Sequence, residues 1–287
     1  MADRSTEIEN SVPTRRRGLP PGVILAAGVL ATIVLAAVFS RWLAPFPADQ
    51  MHIKERLTGP SLTYWAGTDE YGRDVFSRAL VGAQLSLLLG FVATAIALSL
   101  AVPLGLAAGY CRGLVDELTM RGLDIVMSFP SLLFVLLILG VLPVSPMLTA
   151  AAIGVVFVPH VARVARSVTL GLMSEDFIVA AHARGERTSY ILFRELLPNL
   201  WPFIVVEGSL RFAFAILLGA VLSFLGFGVQ PPAADWGLML SNARDFVDAA
   251  PWMAITPGIA MSLTVIAVSL LGEGLRQHLD PSAAARS

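Results

Sequence analysis

Five stretches of this 287-residue chain run for more than twenty residues without an Asp, Glu, Lys or Arg. They lie between Arg17 and Arg41, Arg78 and Arg112, Asp124 and Arg163, Arg211 and Asp235, and Asp248 and Glu273. A bilayer core about 30 Å thick is crossed by about 20 mostly apolar residues at 1.5 Å rise each, so every one of these stretches can span it. The third is too long for one crossing. Its Pro143-Val144-Ser145-Pro146 cluster is a turn signal that divides it into two helices joined by a short hairpin. Six spans follow, and the fold class is an all-α integral membrane protein. Composition agrees: 56% of residues are hydrophobic, 14% are charged and the mean hydropathy is +0.73. An ordinary soluble enzyme, which carries about a quarter charged residues, is excluded.

The first apolar run, Val23 to Phe39 behind Arg15-Arg16-Arg17, has the flanks of a signal peptide but no clean small-residue cleavage site after it. Trp42 at its far end suits an interfacial anchor, so the run is expected to remain as a helix. Basic residues set the orientation. With both termini in the cytoplasm, thirteen arginines fall inside and six basic residues outside, which the positive-inside rule favours. The expected layout is a cytoplasmic tail 1–20, a first transmembrane helix 21–42, an extracytoplasmic segment 43–84, a five-helix core 85–275 and a cytoplasmic tail 276–287. Within the core, 167–201 is an inner loop and 229–251 a second outer segment. Twenty basic against 21 acidic residues gives no reason to expect nucleic acid as a partner, and the single cysteine, Cys111, has no intrachain partner for a disulfide.

The inner loop is longer than a plain helix connection needs. Ser174 is expected to cap a helix whose first turn holds Glu175 and Asp176, where negative charge meets the positive helix end. Ala180, Ala181 and Ala183 favour that helix, and Gly185 offers its end. A second short helix is expected from Thr188 until Pro198 limits it. The alanines would let another backbone approach, and Phe177, Ile178 and Tyr190 would serve as apolar knobs. Such a face would equally suit lipid headgroups or the underside of the bundle.

Ala180-Ala181, three residues, Gly185, and then Leu197-Pro198 with Pro198 thirteen residues after the glycine resembles the cytoplasmic signature loop of permease subunits in binding-protein-dependent ABC importers. Gly67-Thr68-Asp69-Glu70-Tyr71-Gly72-Arg73-Asp74-Val75-Phe76-Ser77-Arg78 is similar to the segment before the second span of dipeptide, oligopeptide and nickel permeases, C-type subunit. Phe224-Leu225-Gly226-Phe227-Gly228-Val229-Gln230-Pro231-Pro232, Trp236-Gly237, Leu271-Gly272-Glu273-Gly274-Leu275-Arg276 and Leu279-Asp280-Pro281 extend the similarity over roughly residues 23–281. The resemblance implies a type I importer permease with cytoplasmic coupling helices in the bacterial inner membrane. It also implies a second homologous permease, two cytoplasmic ATPases and an extracytoplasmic binding protein. Asp176, Phe177, Val179, Ala180, Ala181, Arg184, Gly185, Leu197 and Pro198 would form the ATPase dock. The family's usual glutamate falls on Val179, and Arg184 stands where an apolar residue is common. Peptide is the implied cargo, with nickel or another small solute as the alternative.

Beside the resemblance, Asp69 with Arg73 and Asp74 with Arg78 are spaced i,i+4, which predicts a solvated outer surface helix with paired charges. Glu207 and Arg211, one turn apart in the fifth span, can satisfy each other as a structural pair. As ionisable groups in the membrane they are also candidates for path lining or gating. His160, beside Pro159, reads as a packed polar residue at a helix end. Lys54 is the only lysine and no Gly-x-x-x-x-Gly-Lys-Ser/Thr loop surrounds it, so nucleotide chemistry falls to another chain. No His-Glu-x-x-His run or Gly-x-Ser-x-Gly elbow occurs. With histidines scattered at 52, 160, 182 and 278, no metal or other cofactor is expected. An intramembrane enzyme built on Glu207, His160 or Glu273, and a self-sufficient ion-coupled carrier, remain as rivals.

Overall fold

A computed structural model of the chain describes residues 20–143 and 145–279. Helix α1 (Pro21–Val38) starts on a proline, whose missing N–H costs nothing at that position, and a short α2 (Ser40–Leu43) follows. Then come α3 (Val75–Cys111), α4 (Gly113–Met127), α5 (Ser131–Val141), α6 (Pro146–Leu172), α7 (Asp176–Ala183), α8 (Thr188–Tyr190), α9 (Leu197–Phe224), α10 (Trp236–Ala243) and α11 (Trp252–Leu279). Five helical rods are long and apolar enough to cross a membrane, and a sixth crossing results if the bent pair α4–α5 is counted as one. Among the described residues the only strand-like pairing is an isolated bridge between Thr68 and Asp74.

The third span is where the sequence expectation and the structure differ most. Alone, α5 is 11 residues, about 16 Å of helix and far short of the hydrocarbon core. It meets α4 at 83°. Pro130 explains the break, because it lacks an N–H and disfavours helical geometry at Phe129 before it. After the hairpin, Ser145 accepts a hydrogen bond from Leu148 N at 3.2 Å and Pro146 opens α6. Val144 of that hairpin and the expected tail over 1–19 lie outside the described residues, as do 280–287.

Helix α3 begins ten residues before the boundary expected at 85. Asp74 is its cap, accepting from Ser77 N at 2.8 Å and Ser77 Oγ at 2.6 Å. Gly82 does not interrupt the helix; a Cβ there would stand 3.2 Å from Asp235 Cα, so it is a packing residue. The 37 residues of α3 extend for about 55 Å, well beyond the membrane core. One side of α3 carries small residues every four positions: Ala93, Ala97, Ala101, Gly105 and Gly109, all buried. A Cβ on Gly105 would meet Ala162 O at 2.5 Å, one on Gly109 the Thr169 side chain at 2.7 Å, and one on Gly154 of α6 the Ala93 carbonyl at 2.7 Å. Backbones of α3 and α6 are therefore in near contact, as small residues allow between membrane helices.

The segment before α3 folds as a cap over its N-terminal end. Its core is Val75, Ala79, Met239, Ala243, Ala250 and Met253, with Leu57, Ala66 and Trp252 packed against them. The expected surface helix is absent: Asp69 to Arg73 is a tight turn in which Gly72 takes φ +72°. The Asp69–Arg73 pair forms at 2.6 Å, but Arg78 turns to Asp69 at 3.7 Å and to the Ala48 carbonyl at 2.9 Å, because Asp74 is committed to capping. These side chains are 3–6% exposed, not solvated. Burial of this kind requires the mutual hydrogen bonding they show.

Candidate functional site: the elbow between α6 and α9

The loop after α6 forms two helical limbs joined at Gly185. Asp176 starts α7, Glu175 is the residue before it, and Ser174 turns back to donate to the Gly171 carbonyl at 2.8 Å. Ser174 is thus not the cap, since that bond already closes the last turn of α6. At the far end Gly185 has φ +72°. Gly185 N donates to His182 O at 3.0 Å and Glu186 N to Ala181 O at 3.2 Å, the paired bonds of a Schellman stop. An L side chain rarely tolerates that φ, which is the physical reason for a glycine here.

The second limb does not stop at Pro198. Thr188–Tyr190 runs through a π-helical stretch, Ile191–Leu196, directly into α9. Within the stretch the i→i+5 pattern appears as Leu197 N donating to Leu192 O. Pro198 has no N–H to continue the ordinary ladder, and the wider turn just before it relieves its ring from the preceding carbonyls.

What holds the elbow is apolar. Ile178, Ala181, Ile191, Leu196 and Leu200 are completely buried, and the nearly buried Val102 and Leu106 of α3 and Ala165 of α6 join them. Phe177 and Leu197 pack on this cluster from its edge. Of the expected docking residues, Ala181 thus faces this chain's own core. Asp176, Val179, Ala180, Arg184, Gly185 and Pro198 are exposed, Val179 by 58%. The Arg184 guanidinium lies 3.5 Å from both Glu186 and Glu195, bracing the hinge from outside. Sequence reasoning missed Tyr110, at the end of α3: its ring stacks on His182 at 6.1 Å and 17°, and its hydroxyl is 3.5 Å from Thr188 Oγ1. The signal available was its position one turn beyond Leu106 on the small-residue helix.

Deeper in the bundle, Arg211 Nε and Nη2 reach Glu207 Oε1 at 2.7 and 2.6 Å, with side chains 16% and 11% exposed. The guanidinium lies over the rings of Phe157 at 5.6 Å and Phe214 at 5.8 Å. His160 follows Phe157 by nearly one turn of α6, and its Nδ1 is buried without a hydrogen-bond partner. Among the described residues no three His, Cys, Asp or Glu side chains gather where they would hold a metal.

Residues 101–284 match the family described as the binding-protein-dependent transport system inner membrane component. The chain belongs to that family. It is 41% identical over 253 residues to the dipeptide transport system permease protein DppC of Alkalihalophilus pseudofirmus, covering 88% of this chain and 83% of the relative. The glutathione transport system permease protein GsiD of Pectobacterium atrosepticum is 38% identical over 268 residues, 93% and 89% of the two chains. The di/tripeptide transport system permease protein DppC of Pseudomonas aeruginosa is 38% identical over 255 residues, 87% and 84%. The protein is thus a multi-pass inner membrane permease subunit of an ABC importer and not a catalytic enzyme. Its family works with a binding protein and ATPase subunits. Membership also sets aside the self-sufficient carrier.

Proposed function

We propose that this permease carries peptides of two or three residues, or the related tripeptide thiol glutathione, with a second homologous permease beside it. The reading rests on the functions its relatives are named for, two of them di- or tripeptide permeases and one a glutathione permease. Two cytoplasmic ATPases dock at the elbow, one on each permease, and both termini lie on that side. Closure of the ATPase dimer moves the elbows together, and the bundles rock between inward-facing and outward-facing arrangements. An extracytoplasmic binding protein delivers cargo to the outer cap.

One observation carries the docking assignment: the exposed face of α7, with Val179 and Ala180 and with Arg184 just past its end, stands on a buried apolar base. A helix seated in this way transmits force, whereas one lying loosely on headgroups would not. The residues that meet the ATPase are Asp176, Val179, Ala180, Arg184, Gly185 and Pro198. Ala181, Phe177 and Leu197 hold the limb against the bundle. The Glu207–Arg211 pair joins the path side of α9 as a gate element, held between two aromatic rings.

A cysteine at Ala180 in the native complex tests the dock. Crosslinking to the ATPase subunit that responds to ATP is the expected result, and no ATPase adduct under conditions that capture the partner permease would sink the assignment.

A further inference from the structure

Helix α3 reaches both ends of the permease. Its first turn lies under the outer cap, where Arg78 bonds the Ala48 carbonyl and Ser77 Oγ accepts from Phe46 N at 3.2 Å. Its last turn reaches the elbow. Along its length it is keyed into α6 by Ala93, Ala97, Ala101, Gly105 and Gly109, where no flexible side chain separates the backbones. A shift at one end of such a pair is therefore felt at the other, because close-packed interiors deform little.

At the elbow end, one side chain of α3 among the described residues contacts both limbs through polar or aromatic groups. Tyr110 stacks on His182 of α7 and presents its hydroxyl to Thr188 of α8, on either side of the Gly185 hinge. The rest of the contact with α3 is an apolar cluster, which resists separation but has no preferred direction, and the Arg184 pairs with Glu186 and Glu195 brace the limbs against each other without reaching α3. Stacked rings do have one.

We propose that Tyr110 is a positioning residue that sets the angle of the docking elbow against α3, so that engagement of the outer cap is reported to the ATPases. The inference rests on the elbow being the ATPase dock. It predicts that the Tyr110 ring matters for stimulation of ATP hydrolysis by the binding protein and not for assembly or for basal hydrolysis.

The test uses the complete importer in nanodiscs, with phosphate release from MgATP measured with and without its binding protein, and carries Ala180→Cys as a crosslinking reporter. Tyr110→Leu keeps the apolar bulk but removes the ring. It should assemble, crosslink and hydrolyse ATP at the basal rate while stimulation falls about fivefold or more, and Tyr110→Phe should stay within about twofold of the parent. The exposed His182→Ala should reproduce the loss. Full stimulation in Tyr110→Leu, or Tyr110→Phe as defective as Tyr110→Leu, overturns the proposal. So does loss of stimulation that tracks loss of the crosslink, which would make Tyr110 merely part of the fold. If Tyr110→Leu does not assemble, His182→Ala decides alone, and full stimulation there overturns it. A parent that never crosslinks to the ATPase instead removes the docking assignment, which separates the two failures.

Discussion

Trp252 Nε1 donates to the Thr68 carbonyl at 3.0 Å, joining the first turn of α11 to the cap over α3 across 184 residues of sequence. The indole sits where Gly67 leaves room: a Cβ on Gly67 would stand 2.6 Å from Trp252 Nε1, and Gly67 itself has φ +71°. Cap and bundle are therefore fastened by a bond that neither segment shows on its own.

Trp252→Phe keeps most of the apolar contact and leaves the Thr68 carbonyl without its donor. The expected cost is about 1–3 kcal/mol, the penalty for an unsatisfied buried polar group. Gly67→Ala should cost more, since strain and overlap add. Thermal unfolding of the purified permease in detergent checks the order. Equal midpoints for both variants and the parent would show that the cap is not fastened there.

Gly185→Val addresses the hinge. Nothing lies within 4 Å of a Cβ at this position, so the substitution meets no overlap, and its effect comes through φ +72° alone. A β-branched residue there costs about 1–2 kcal/mol and tilts one limb against the other. Membrane insertion should be unchanged while ATP-driven uptake of peptide falls, and Gly185→Asn should be milder because Asn tolerates that region. Uptake at the parental level in Gly185→Val would remove the hinge from the mechanism. Ala181→Glu is a different experiment: it buries a charge in the cluster under α7 and should dislodge the limb itself.

Much of this arrangement was legible in the residues. Long charge-free runs require helices, since only helices and closed barrels satisfy backbone groups in lipid. Gly185 after three alanines marked the end of α7. The rest depended on contacts that spacing does not reveal. Asp74 and Arg78 stand i,i+4, yet Asp74 is taken by Ser77 and Arg78 reaches back to Asp69 and Ala48. Pro198 is a helix breaker by composition, and a π turn carries the helix past it. Ala181 was legible as a site of close approach, but not that the approaching partner is its own bundle.

The Gly105 and Gly154 positions test the α3–α6 contact. A Cβ on either overlaps a backbone carbonyl, at 2.5 and 2.7 Å, which a side-chain rotation cannot relieve. Gly105→Val and Gly154→Val should each lower stability by about 1–3 kcal/mol or more, the cost of overpacking a tight interior. Gly140→Val, with open space around it, is the control. Limited proteolysis in membranes reads the difference, and equal resistance in all three would contradict a rigid pair.

Glu70 brings pH into the cap over α3. Burial pushes its carboxyl above the ordinary glutamate value, with Asp69 adding to the effect and Arg73 and Arg78 opposing it. One oxygen lies 3.4 Å from Arg73 Nη2 and the other, Oε2, is buried without a partner. The folded protein therefore holds this proton more tightly than the unfolded chain. The stability it contributes is complete below the ordinary glutamate value, near pH 4.5, and is lost as pH rises through the higher folded value. Glu70→Gln should make the cap more stable at neutral pH and flatten that part of the profile. Hydrogen exchange of residues 67–74 measured from acid to neutral pH checks this, and an unchanged slope in Glu70→Gln would locate the titration elsewhere.

The Glu207–Arg211 pair distinguishes attraction from desolvation. Both side chains are mostly buried, so removing one partner leaves a charge in an apolar setting, at a cost of about 3–5 kcal/mol. Arg211→Leu and Glu207→Leu should each destabilise the permease by roughly that amount. The double variant removes both charges and should recover most of the loss, because replacing a buried ion pair by apolar groups is often neutral. Thermal unfolding of the three variants gives the coupling between the sites. If the double variant regains stability yet transports no peptide, the pair acts in gating; if it transports at the parental rate, the pair is structural and the path assignment for Glu207 and Arg211 fails.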